Sequence, residues 1–167
     1  RELEKISKKN KKPLSFLGGG NYNHHIPSTV NAITSRGEFS TSYTPYQPEI
    51  SQGTLQAIFE YQSMICELTG MDVANASMYD GATSLAEAMI LASRIKGKNQ
   101  VLVSQALNPF YREVLNTYAR ASEIKIVEVN IAGGLTSDFE TESSSAIIIQ
   151  NPNFFGLIEN LEEIKKK

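Results

Sequence analysis

Met78-Tyr79-Asp80-Gly81-Ala82-Thr83, running into an apolar-periodic stretch from Ser84 to Ile95 and stopping at Gly97, decides the fold class. The spacing predicts a helix near 84–95 whose inward face holds Leu85, Ala88, Met89 and Ala92, ended by Gly97. Val101-Leu102-Val103 follows as a short apolar strand. Asn108-Pro109 has the form of an N-cap with proline at the first helical position, opening a helix that carries Val114, Leu115 and Tyr118. Residues 124–129 alternate apolar and polar, as a half-exposed strand does. Residues 132–144 read as a Gly/Ser/Thr/acid loop. Ala146-Ile147-Ile148-Ile149 reads as a fully apolar strand buried in a parallel sheet. Another helix is expected from Ile158 onward. Strand–helix–strand alternation implies an α/β fold with a mostly parallel sheet and right-handed crossovers.

Upstream of this unit the pattern is helical. Residues 1–12 are charged around Leu3 and Ile6 and read as a short surface helix. Residues 27–35 read as a helix with proline in its first turn. Leu55, Ile58, Phe59, Gln62, Ile65 and Leu68 or Thr69 recur at helical spacing, with Gly70 as the stop. At more than five turns this helix is expected to pack across the body of the molecule. Just before it, Ser42 to Gly53 contains Pro45 and Pro48, which block helix formation, and displays Tyr43, Tyr46, Glu49 and Gln52. By composition that segment is either a connecting loop or an active-site wall.

The 167 residues suffice for one core or part of a larger one. A net charge of −2, with the basic residues mostly terminal, argues against a nucleic-acid partner. No apolar run approaches the roughly 20 residues of a membrane span, and no secretory signal pattern is present. Cys66 is the single cysteine, so no internal disulfide forms and a cytoplasmic setting fits. On a helix near its apolar face, Cys66 reads as a small buried hydrophobe. His24-His25 has no accompanying Cys or carboxylate cluster, so a metal site is not expected. Gly18-Gly19-Gly20 breaks regular structure but lacks the strand and the Lys-Ser/Thr of a phosphate loop. With its two histidines side by side, the chain cannot assemble a Ser-His-Asp triad.

The segment Asp80-Gly81-Ala82-Thr83-Ser84 opens a helix, and a helix N-terminus suits either a phosphate or a plain side-chain cap. The motifs Phe16-Leu17-Gly18-Gly19-Gly20, His25-Ile26-Pro27, Tyr43 to Gly53, Cys66 to Asn75, Ser77 to Thr83 and Asn151-Pro152-Asn153-Phe154-Phe155-Gly156 together resemble the P-protein family of glycine cleavage, the glycine dehydrogenases (decarboxylating), in its subunit 1 form. The similarity covers nearly the whole chain. Family members are considerably longer, which makes the sequence look like a fragment, truncated at the C-terminus and leaving apolar surface exposed.

The resemblance implies the first part of a large domain of the PLP-dependent transferase type (fold type I) over residues 54–167. A helical arm and active-site loop over residues 1–53 would precede it. It implies a heterotetrameric complex with glycine dehydrogenase subunit 2. There, pyridoxal phosphate bound covalently by the partner decarboxylates glycine, and the aminomethyl group passes to lipoyl H-protein. In this family subunit 1 lacks the PLP lysine. Lys96 and Lys98 sit at a helix end, Lys125 faces outward on a strand, and Lys165 to Lys167 form a charge run, so none has the buried context a Schiff-base amine needs. Asn108 stands where many relatives carry the histidine of a His-Pro pair, and asparagine does not stack as a ring does. The resemblance gives Tyr43, Tyr46, Glu49 and Gln52 the role of orienting substrate or cofactor across the interface, and marks Asp80 to Ser84 as a cofactor-phosphate-like loop. Two other readings are a structural or regulatory partner without ligand contact and an independent PLP-dependent decarboxylase.

Overall fold

The computed structural model describes residues 1–11, 13–14, 23–40 and 44–166. The core is a three-stranded parallel sheet in the order β2-β1-β5. In chain order the elements are α1 (Glu2–Ser7), α2 (Ser28–Thr34), α3 (Gly37–Ser40), α4 (Gln52–Thr69), α5 (Gly81–Lys96), β1 (Gln100–Ser104), α6 (Pro109–Ala121), β2 (Lys125–Val129), β3 (Ile131–Ala132), β4 (Leu135–Thr136), β5 (Ala146–Ile148) and α7 (Leu161–Lys165). The mostly parallel α/β arrangement read from the sequence is therefore present.

Alternation along β1 divides its side chains between the two faces of the sheet. Val101 and Val103 point into the main core, where they meet Ala86 and Met89 of α5, Leu115 and Ala119 of α6, and Leu107, Ile124 and Ile148. Leu102 is also buried but faces the other way, toward the 138–143 segment, beside Gln100 and Val127. Fully burying a Leu or Val side chain contributes about 1.5–3 kcal/mol each, so this small cluster dominates the stability of the unit.

Both helices that cover the sheet begin where their caps dictate. Asp80 caps α5 and Asn108 caps α6, with Pro109 next to it. Gly97 and Gly70 stop α5 and α4, as expected. The buried face of α5 differs from the expected one. Ala88 is exposed, and Ala86, Met89 and Ser93 are the buried residues. A serine is tolerated there because its hydroxyl donates to the Lys98 carbonyl at 2.9 Å, returning the hydrogen bond that burial removes.

Four further expectations are corrected. The long helix α4 forms over Gln52–Thr69 but contains no buried residue. Its half-buried positions, Thr54, Leu55, Ile58, Gln62, Ile65 and Cys66, follow the helical period, yet Phe59 and Leu68 stand in solvent, and Cys66 is half-buried rather than buried. Among the described residues α4 therefore does not cross a core. The 132–144 loop begins as a short hairpin, β3–β4, turned by Gly133 and Gly134 at φ 60° and 83°. Two consecutive left-handed residues are what a two-residue hairpin turn requires. Among the described residues β5 pairs only with β1, as an edge strand of this sheet, with Ala146 and Ile147 half-buried. The last helix starts at Leu161, capped by Asn160, three residues beyond the expected start. Among the described residues no helix is long and apolar enough to cross a membrane.

Candidate functional site

The carboxyl ends of β1 and β5 and the N-termini of α5 and α6 are tied into one edge of the molecule. Ligands of open α/β sheets bind at this edge. Its first part is the loop Asp80-Gly81-Ala82-Thr83-Ser84. The Thr83 N–H donates to Asp80 Oδ1 at 2.9 Å, and Thr83 Oγ1 lies 3.0 Å from Asp80 Oδ2. Ser84 Oγ donates to the Asp80 carbonyl at 2.6 Å. The Thr83 backbone and hydroxyl, with a smaller contribution from the Ala82 backbone, hold the Asp80 carboxyl below its usual value. The Asp80 carboxylate thus engages the Thr83 N–H and hydroxyl with its own negative charge at the start of the helix. The plain cap foreseen as one alternative is formed, with Asp80 as the N-cap of α5.

Gly81 has a steric reason to be glycine. A Cβ built there would lie 2.8 Å from Tyr111 Oη and 3.4 Å from the ring. Tyr111, in the first turn of α6, thus packs directly against the start of α5.

The second part is a buried polar network that sequence reading missed. Glu159, 4% exposed, accepts from the Thr136 hydroxyl at 3.0 Å, the Thr136 N–H at 3.1 Å and Asn153 Nδ2 at 2.9 Å. Ser104, at the end of β1, pairs its hydroxyl with that of Thr136 at 2.8 Å and accepts from the Ala106 N–H at 3.1 Å. Asn153, also buried, donates to the Gly134 carbonyl and accepts from the N–H groups of Phe155 and Leu157. Asn151 accepts from the Glu159 N–H at 3.0 Å, and Gln150 accepts from the Asn108 N–H at 2.9 Å. The available signal was the Asn151-Pro152-Asn153 run. The distance in sequence from Thr136 to Glu159 hid the partnership.

The remaining expected residues are not drawn into this edge. Tyr43 lies outside the described residues, as does Gly18-Gly19-Gly20. Tyr46 and Glu49, on the segment that leads into α4, and Gln52, the first residue of α4, are exposed, with Gln52 Nε2 donating to the Glu49 carbonyl at 3.3 Å. Among the described residues no hydrogen bond joins this segment to the 80–84 loop. Asn108 is buried as the cap of α6, its Oδ1 accepting from the Phe110 N–H at 2.9 Å. Every described lysine is exposed. Among the described residues no cluster of three or more His, Cys, Asp or Glu side chains is placed to hold a metal ion.

The family model described as glycine cleavage system P-protein matches residues 1–167. A probable glycine dehydrogenase (decarboxylating) subunit 1 of Moorella thermoacetica is 54% identical, over 98% of this chain and 38% of that protein. A protein of the same description from Bacillus subtilis (strain 168) is 54% identical, over 99% of this chain and 39% of its own length. The chain thus spans under two-fifths of the length of these curated relatives. A crystal structure of glycine decarboxylase (P-protein) of the glycine cleavage system, in inhibitor-bound form, superposes with a TM-score of 0.89 at 52% identity, covering 96% of this chain and 37% of that one. The chain belongs to the glycine cleavage system P-protein family.

Proposed function

We propose that this chain is part of the non-lysine subunit of a glycine decarboxylase, and that it helps to form the site at which its partner, subunit 2, decarboxylates glycine. Similarity to proteins described as subunit 1, over nearly the whole chain, supports the reading. The observation that carries the reading is 54% identity to proteins described as subunit 1; within residues 1–167 every described lysine is exposed. A lysine that bonds to PLP needs an amine with a lowered pKa, which comes from burial or a neighbouring cation. Pyridoxal phosphate, held covalently by the partner, would supply the electron sink for decarboxylation. The aminomethyl product would then pass to lipoyl H-protein.

This chain's own contribution is positional. Residues 54–167 form the beginning of a PLP-transferase-like domain, and residues 1–53 an arm that ends in the site loop. Tyr43, Tyr46, Glu49 and Gln52 are the residues assigned the role of orienting glycine or the cofactor at the partner's site through hydrogen bonds. The 80–84 loop keeps its self-cap and serves as wall. Orientation of this kind lowers the barrier without any covalent step on the chain. The test is release of labelled CO2 from carboxyl-labelled glycine by the complete two-subunit complex carrying Tyr46→Phe or Glu49→Gln. A raised KM for glycine is expected; unchanged turnover and unchanged glycine affinity remove these residues from the site.

The engagement of the Thr83 N–H and hydroxyl by Asp80 favours a second reading, in which the chain shapes its partner without touching ligand. Distances from Tyr46 and Glu49 to the cofactor in a structure of the whole complex separate the two.

A further inference from the structure

The network around Glu159 goes beyond what holding a small core together requires. Burying a carboxylate costs several kcal/mol unless donors compensate it, and an apolar side chain fills such a space without that cost. Here Thr136 and Asn153 provide the compensation from two separate segments. The consequence is geometric. Glu159 fixes the β3–β4 hairpin, through Thr136 and Ser104, to the carboxyl end of β1. Through Asn153 it fixes the 153–157 turn that follows β5, and the Phe154 N–H donates from that turn to the Ala106 carbonyl at 2.9 Å. Through its own N–H it holds Asn151, next to the Gln150 that binds Asn108 at the start of α6. Tyr111 of α6 then bears on Gly81.

We propose that Glu159 is a positioning residue for the glycine-binding site: its buried carboxylate sets the edge formed by the 150–157 turn and the N-termini of α6 and α5. The inference rests on the proposed contribution of this chain to a glycine-decarboxylating complex. Glu159 touches no substrate in this account and acts through the backbone it holds.

Replacing the carboxylate by an amide puts an N–H2 group where one of the Thr136 and Asn153 donors now points. Glu159→Gln therefore keeps the size of the side chain and breaks the network. Thr136→Val is milder, since it removes the hydroxyl and keeps the Thr136 N–H bond. Both variants are measured in the complete PLP-loaded complex, following labelled CO2 release against glycine concentration, cofactor absorbance and thermal midpoint. The expected result is a glycine KM raised about tenfold in Glu159→Gln and by a smaller factor in Thr136→Val, with cofactor content equal to the parent's. Parent-like KM in both variants, with any activity loss tracking the amount of folded complex, overturns the proposal and leaves a purely structural role. If Glu159→Gln does not assemble, Thr136→Val decides by the same readout. A parent complex that releases no CO2 from glycine overturns the glycine reading, and this inference with it.

Discussion

Helices α4 and α6 carry the same kind of apolar periodicity and meet opposite fates. α6 has 13 residues and buries Leu115 and Ala119 against β1 and α5. α4 has 18 residues and buries none, and the Gln62 side chain, bonded to the Ala74 carbonyl, is its hydrogen-bonded link to the returning chain. Periodicity specifies which face of a helix is apolar. It does not specify what covers that face, and most helix stability in proteins comes from the covering. The unit from Gly81 to Glu159 supplies its own cover; α4 presents Phe59, Met64 and Leu68 to solvent.

The sharpest way to break this contrast is Leu115→Ala. Leu115 is 0% exposed, so the substitution should cost about 2–5 kcal/mol in urea unfolding. A cost below about 1 kcal/mol would place the core elsewhere. A middle-sized effect is expected for Gly81→Ala. The added methyl meets Tyr111 Oη and shifts the α5–α6 contact, at about 1 kcal/mol, and adding Tyr111→Phe should recover part of it. Additive losses in that cycle would show that the two helix starts do not bear on each other.

Asp80→Ala should lower the melting temperature by less, through loss of the α5 cap. Because the folded-state pKa of Asp80 lies below the ordinary 3.8, its stabilisation is fully present above that value and disappears as pH falls through the lower folded value. The gap between parent and variant should therefore close on acidification; a gap that persists at low pH would mean that the cap works without its charge. The smallest effect belongs to α4. Leu68→Ala, at a side chain 81% exposed, should stay within about 0.5 kcal/mol. A core-sized loss there would show that α4 is covered in solution.

The elements fixed by local chemistry were legible in the sequence. Asn108-Pro109 announced α6, Gly97 ended α5, and Val101 to Val103 formed the central strand. What escaped depended on partners distant in sequence. The face of α5 turned on Ser93 finding the Lys98 carbonyl. The hairpin turned on two glycines inside a stretch whose composition reads as loop. The polar edge turned on Glu159 meeting Thr136, a pairing no spacing rule contains. The 80–84 segment was legible as a helix start, and Asp80 caps it.

The central claim is that this polypeptide furnishes surroundings and no covalent amine. Borohydride reduction of the PLP-loaded complex, followed by digestion and peptide mapping of each subunit, tests it most directly. The account predicts the pyridoxyl label on a lysine of the partner subunit and none on any peptide from residues 1–167; a label at Lys96, Lys98, Lys125 or any other lysine of this chain would contradict it.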